Sequence, residues 1–198
     1  MKLNRLVHIN LILAQLFLLC VTGVATDKSV EDMLKRAREK FYAAVEDKKQ
    51  IEPTIKLFER IAREEPKYAG RTEVYIGALI ALKGKHAFLP HTKLKWAKRG
   101  LAIMDSGLQK SPSDIEALFI HGTTCYHLPF FFRRSDDAQR DFKEIVKRMP
   151  MQIHTYDPKL ITNIVAFLLE KARLTNDEKT YLLALIDRLE SQYSVVHQ

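Results

Sequence analysis

The 198-residue sequence predicts an all-α fold of about eight helices, and three observations carry that prediction. Apolar residues recur at three- and four-residue intervals along most of the chain, the period of a helix with one buried face. No stretch alternates apolar and polar residues over the length of a strand. Glycine and proline read as falling between helices, not in the pairs that close hairpins.

Taken in order, Lys2 and Arg5 precede an apolar run from Leu11 to Val24 that ends Gly23-Val24-Ala25. A basic start, a short apolar stretch and small residues before Thr26 are the marks of a secretory signal, so residues 1–25 are expected to be a signal peptide and 26–198 one domain. His8, Asn10 and Gln15 make the run poor as a retained anchor, and the bulky Leu18-Leu19 argues against a lipidated Cys20. From Ser29 the stripe Leu34, Ala37, Phe41, Val45 predicts a first helix, and Pro53 opens a second with Ile55, Phe58 and Ile61 or Ala62 inward. Val74, Ala78 and Leu82 predict a third. Thr92 is read as the cap of a fourth, with Leu94, Ala97, Leu101, Met104 and Leu108 buried. Leu118, Gly122, Cys125 and Tyr126 predict a fifth helix, and Ala138, Phe142, Ile145 and Met149 a sixth that Pro150 closes. A connector over 151–156 leads to Asp157-Pro158 and a seventh helix along Leu160, Ile164 and Leu168. Thr175 and Glu178 have capping-box spacing before an eighth along Leu182, Leu185, Leu189 and Tyr193.

Gly122 is costly inside a helix unless a neighbour must come close, and the small Ala138 suggests the same crossing point. Gly122, Tyr126, Ala138, Phe142 and Pro150 together resemble a tetratricopeptide repeat, with Leu118 in place of its tryptophan. Phe58, Ile61 and Pro66 repeat part of the pattern, as do Gly100, Met104, Gly107 and Pro112. The resemblance implies a right-handed solenoid of antiparallel helix pairs and a role in binding other proteins. Pro112 and Pro150 stand 38 positions apart and Pro66 and Pro112 stand 46 apart, against a family period of about 34. The excess falls in two turns, Lys83 to His91 and Leu128 to Arg134, which such an array would project from one edge.

Those turns supply the candidate partner-binding residues: Lys83, Lys85, His86, His91, Lys95, Trp96, Phe130, Phe131, Phe132, Arg133 and Arg134. No acid occurs between Glu73 and Asp105, so cations and aromatics share this surface, which suits an acidic protein or peptide. Paired guanidinium groups beside aromatics make Arg133 and Arg134 the strongest candidates. The alternative partner is an anionic membrane surface, with Leu128 to Phe132 dipping into it. Removal of Lys2 and Arg5 lowers the formal charge from +8 to +6, a basic balance that permits nucleic acid, but export argues against it. One cysteine, Cys125, then remains, so no internal disulfide can form. A single-cysteine chain with no N-x-S/T acceptor is in keeping with a bacterial periplasm.

An enzyme is not expected. His121 and Cys125 share a helix face, yet no acid near them in sequence completes a catalytic set. His86, His91 and His154 are too scattered to hold a metal, and no glycine-rich phosphate loop follows a strand. Asp136-Asp137 reads as a pair of first-turn helix charges. No cofactor is expected.

Overall fold

The computed structural model describes residues 29–196, and every regular element among them is helical. The signal-peptide expectation for residues 1–25 lies outside the described residues. Eight α-helices follow one another: α1 (29–46), α2 (Ile51–Glu64), α3 (Ala69–Lys85), α4 (Pro90–Lys110), α5 (Ile115–His127), α6 (Ser135–Gln152), α7 (Pro158–Lys171) and α8 (Asn176–Val196). Short 3-10 turns at 48–50, 66–68, 130–132 and 153–155 join several of them. No described helix is long and apolar enough to cross a membrane.

Local chemistry accounts for most boundaries. Asp114 caps α5 by accepting from Ala117 N (2.8 Å), and Asp157 caps α7 by accepting from Lys159 N (2.8 Å). The Thr175 N–H donates to Glu178 (2.7 Å) while the Glu178 N–H donates to the Thr175 hydroxyl (3.2 Å), the reciprocal box expected at α8. Three boundaries differ from expectation. α2 starts at Ile51, two residues before Pro53, which still lies in the first turn where its missing N–H costs nothing. α4 starts at Pro90 behind an extended Leu89, so Thr92 is inside the helix and caps nothing. α6 runs past Pro150 to Gln152, because a proline in the last turn breaks one bond without ending the helix.

The core mixes two kinds of helix. α1, α2 and α6 bury one stripe, with Leu34, Ala37, Phe58, Ile61, Ala138, Phe142, Ile145 and Met149 fully enclosed. Val45 of the expected α1 stripe is half-buried and Ala44 is buried in its place; Leu82 and Leu94 likewise lie further out than expected. The side chain of Tyr193 lies outside the described residues. α3 and α5 are buried on nearly every side, α5 from Ile115 through Gly122 without a break, which places them at the centre of the packed helices. Phe58 stacks on Tyr75 of α3 (4.4 Å between centroids), and Phe41 meets the same ring edge-on (4.9 Å).

Glycine corrects the sequence reading most. Gly70, Gly77 and Gly84 lie inside α3 and Gly100 and Gly107 inside α4, not between helices, while Gly122 lies inside α5 as expected. Those of α3 and α4 recur every seven residues, two helical turns, and so line one face of each. A Cβ at Gly77 would meet the Gly100 carbonyl oxygen at 2.7 Å, one at Gly107 the Gly70 oxygen at 2.8 Å, and one at Gly84 the Lys93 oxygen at 2.9 Å. The two backbones therefore touch along their length, and α4 runs back antiparallel to α3. Gly122 meets its expected neighbour: a Cβ there would fall 2.8 Å from the Phe142 ring.

Polar contacts fix the direction of the central helices. Tyr68, just before α3, donates to Glu31 near the start of α1 (2.5 Å), and Lys85 at the end of α3 donates to Val45 O at the end of α1 (2.8 Å). α1 and α3 are thus parallel. Arg71 in the first turn of α3 pairs with Asp114 (2.7 Å) and Glu116 (3.2 Å) at the start of α5. α5 packs along α3, which extends only one way from Arg71, so it points the same way. The α3–α4 and α5–α6 turns consequently leave from one end of the molecule.

Candidate functional site

At that end, the α3–α4 turn builds an open groove of about 490 Å³ lined by Lys48, Ile51, Glu52, Lys83, His86, Ala87, Thr92 and Trp96. α4 brings Trp96 back beside the last turn of α3, and the Lys83 ammonium lies over its ring at 5.0 Å. Arg99 approaches the same ring at 5.6 Å, giving the indole two cations. Glu52 ion-pairs with Lys83 from the first turn of α2, with most of the carboxylate still in solvent. His86 is half-buried near Ala44 O (3.4 Å), and Lys85 pairs with Glu46 (2.9 Å) on the outside. Lys85 and the exposed His91 and Lys95 do not line this groove.

The α5–α6 turn divides its five candidates. Phe132 packs against the core, whereas Phe130 is 92% exposed and Phe131 59%, held edge to face at 6.0 Å. Arg133 adopts a left-handed conformation (φ 55°, ψ 39°) that closes the 3-10 turn and leaves its side chain exposed. Arg134 points inward, where it pairs with Asp105 of α4 and with Asp137 (2.9 Å). Its guanidinium is a tie between helices, so the two arginines are not equivalent. Among the described residues no hydrogen bond, ion pair or ring contact joins the two turns.

Asp105 belongs to a buried set that spacing along the chain does not disclose. His121 donates from Nδ1 to Asp141 of α6 (2.5 Å) and from Nε2 to Asp105 (2.9 Å), so one imidazole bridges two helices from a third. Burial pulls its pKa down, but the Asp141 carboxylate, with the Cys125 sulfur beside it, outweighs that and raises it to about 10. Burial opposes ionisation of Asp105 too, yet His121 and Arg134 hold it below its ordinary value. The Cys125 sulfur lies 3.9 Å from Nδ1 and 3.8 Å from Nε2 of His121 and is buried. Two acids distant in sequence thus stand beside His121, and between them they occupy both ring nitrogens, one of which a base would need free.

A second buried set sits at the opposite ends of α3 and α5. Arg38 donates to both carboxylate oxygens of Glu116 (2.6 and 2.8 Å), Tyr75 donates to it (2.6 Å), and Arg71 bridges it to Asp114. Burial alone would raise the Glu116 pKa; the two guanidinium groups lower it below the ordinary value. Tyr68 and Tyr156 cover Arg71 at 4.9 and 5.1 Å. Every member is satisfied from within. The sequence signal for both sets was an acid beside a core residue: Glu116 after Ile115, Asp141 before Phe142, Asp105 after Met104.

Among the described residues, no group of three or more His, Cys, Asp or Glu side chains is arranged so that it could hold a metal ion. Set against protein-family models, curated proteins and solved structures, the chain matches none of them.

Proposed function

We propose that this chain is a non-enzymatic, tetratricopeptide-like interaction module of the bacterial envelope, exported by residues 1–25, whose groove at the α3–α4 turn binds an acidic segment of another protein. What supports the array is the parallel course of α1, α3 and α5 with α4 folded back on α3. The function rests on one observation. Lys83 and Trp96 line a concave surface with Lys48 and His86, and the groove's own carboxylate, Glu52, occupies the cation that an incoming acid would take. Glu52 thus stands in for a ligand carboxylate, and a partner displaces it at little electrostatic cost. The enclosed sets around His121 and Glu116 take the part of scaffold.

Trp96 is the chain's only tryptophan and reports on the groove directly. Titrating the full chain with polyglutamate should change its fluorescence saturably, less so as salt rises. Glu52→Gln frees Lys83 and should tighten binding; Lys83→Ala should weaken it. A flat titration in the parent and in Glu52→Gln would remove this reading.

A further inference from the structure

Beyond the groove, the same end of the molecule carries apolar side chains with no cover. Phe88 at the apex of the α3–α4 turn is 94% exposed, and Leu89 beside it about half. Phe130 and Phe131 project from the other turn. Water is a poor neighbour for that much aromatic surface, and such tips mark a place where something else takes over. A docking pocket for a peptide would enclose its anchors; these residues have no walls. A bilayer receives protruding side chains without matching pockets, and two turns leaving one end can meet one plane together.

Charge selects the kind of bilayer. Lys95 and Lys98, on the first turns of α4 after Phe88, are exposed and form no ion pair among the described residues; nor does Arg133, next to the second tip. The nearest acids in sequence are committed elsewhere: Glu73 to Lys110, Asp105 to His121 and Arg134. Asp136, exposed at the start of α6, faces Arg173 at 3.9 Å. We propose that this end docks on an anionic membrane surface, with Phe88, Phe130 and Phe131 among the acyl chains and Lys95, Lys98 and Arg133 on headgroup phosphates.

The test places a reporter on each tip of the full chain, so that it reads the tip whatever residues 11–24 do. In a Trp96→Phe background, Phe88→Trp and Phe130→Trp give two separate single-tryptophan proteins, each checked for folding by urea titration. Brominated acyl chains in equimolar phosphatidylglycerol–phosphatidylcholine vesicles should quench both, and phosphatidylcholine alone should not. Adding Lys95→Gln and Lys98→Gln should abolish most of the quenching. Hydrogen exchange on the unsubstituted chain, which depends on no variant, should show vesicle protection at 86–90 and 128–133.

Unquenched tips in both vesicle types overturn the proposal, and equal quenching in both overturns its electrostatic half. A tip signal raised by polyglutamate instead of vesicles assigns the tips to a peptide. One raised by protein concentration alone assigns them to a second copy of the chain. Groove binding is read at Trp96 in the unsubstituted protein, so either reading can fail without the other.

Discussion

At the scale of single residues, stability depends on buried charge held by long-range partners. Glu116→Ala strands Arg38 and Arg71 without their shared carboxylate and should cost about 3–5 kcal/mol by urea unfolding. His121 titrates usefully. Its value in the fold, about 10, lies above the ordinary 6.5, so its contribution is complete below pH 6.5 and drains away as pH rises through 10. Asp105 and Glu116, both held low, work in the opposite sense and give up their contributions on acidification. Urea midpoints measured across that alkaline window should fall in the parent and stay flatter in His121→Gln. None of these pairings was legible in the sequence. Spacing reveals a helix face, but Arg38 meets Glu116 across 78 positions and His121 meets Asp141 across 20, and only packing brings them together.

At the scale of elements, the α3–α4 hairpin gains its closeness by giving up side chains. Each interior glycine costs roughly 1 kcal/mol of helix propensity relative to alanine, and backbone contact offsets it. Gly77→Ala and Gly100→Ala should therefore destabilise despite the better helix former, by about 1–3 kcal/mol each, because the new methyl would meet a carbonyl oxygen at 2.7 and 2.5 Å. A higher melting temperature in either variant would refute the close packing. Helix existence was legible throughout: all eight predicted segments are helical, since a 3.6-residue apolar stripe survives in any packing. What went unread was that α3 and α5 are surrounded. The apolar spacing shows a single stripe on each, and the second contact face of α3 is carried by glycines seven residues apart, which add nothing to an apolar stripe.

At the scale of the whole molecule, the two polar sets tie different groups of helices, one across α1, α3 and α5 and the other across α4, α5 and α6. The exposed turns carry no such ties beyond Arg134. Phe88→Ser and Phe130→Ser should leave the unfolding free energy, read by urea titration, within about 0.5 kcal/mol of the parent. Of the site, the sequence disclosed the aromatic and basic composition of both turns, because exposed composition needs no partner to be recognised. It did not disclose which cations were already engaged. Arg134 and Arg133 are adjacent in the chain, yet one is a tie and the other faces solvent, a difference set by the left-handed backbone at Arg133. The glycine seam has one more consequence. It lies on either side of Phe88, so a protease cutting at that bare apex severs the chain between two halves that remain clasped by backbone contact and by the Arg38–Glu116 and Arg71–Asp114 pairs. The nicked protein should elute at the size of the intact one and separate only in denaturant, and fragments expressed apart should find each other again as complements.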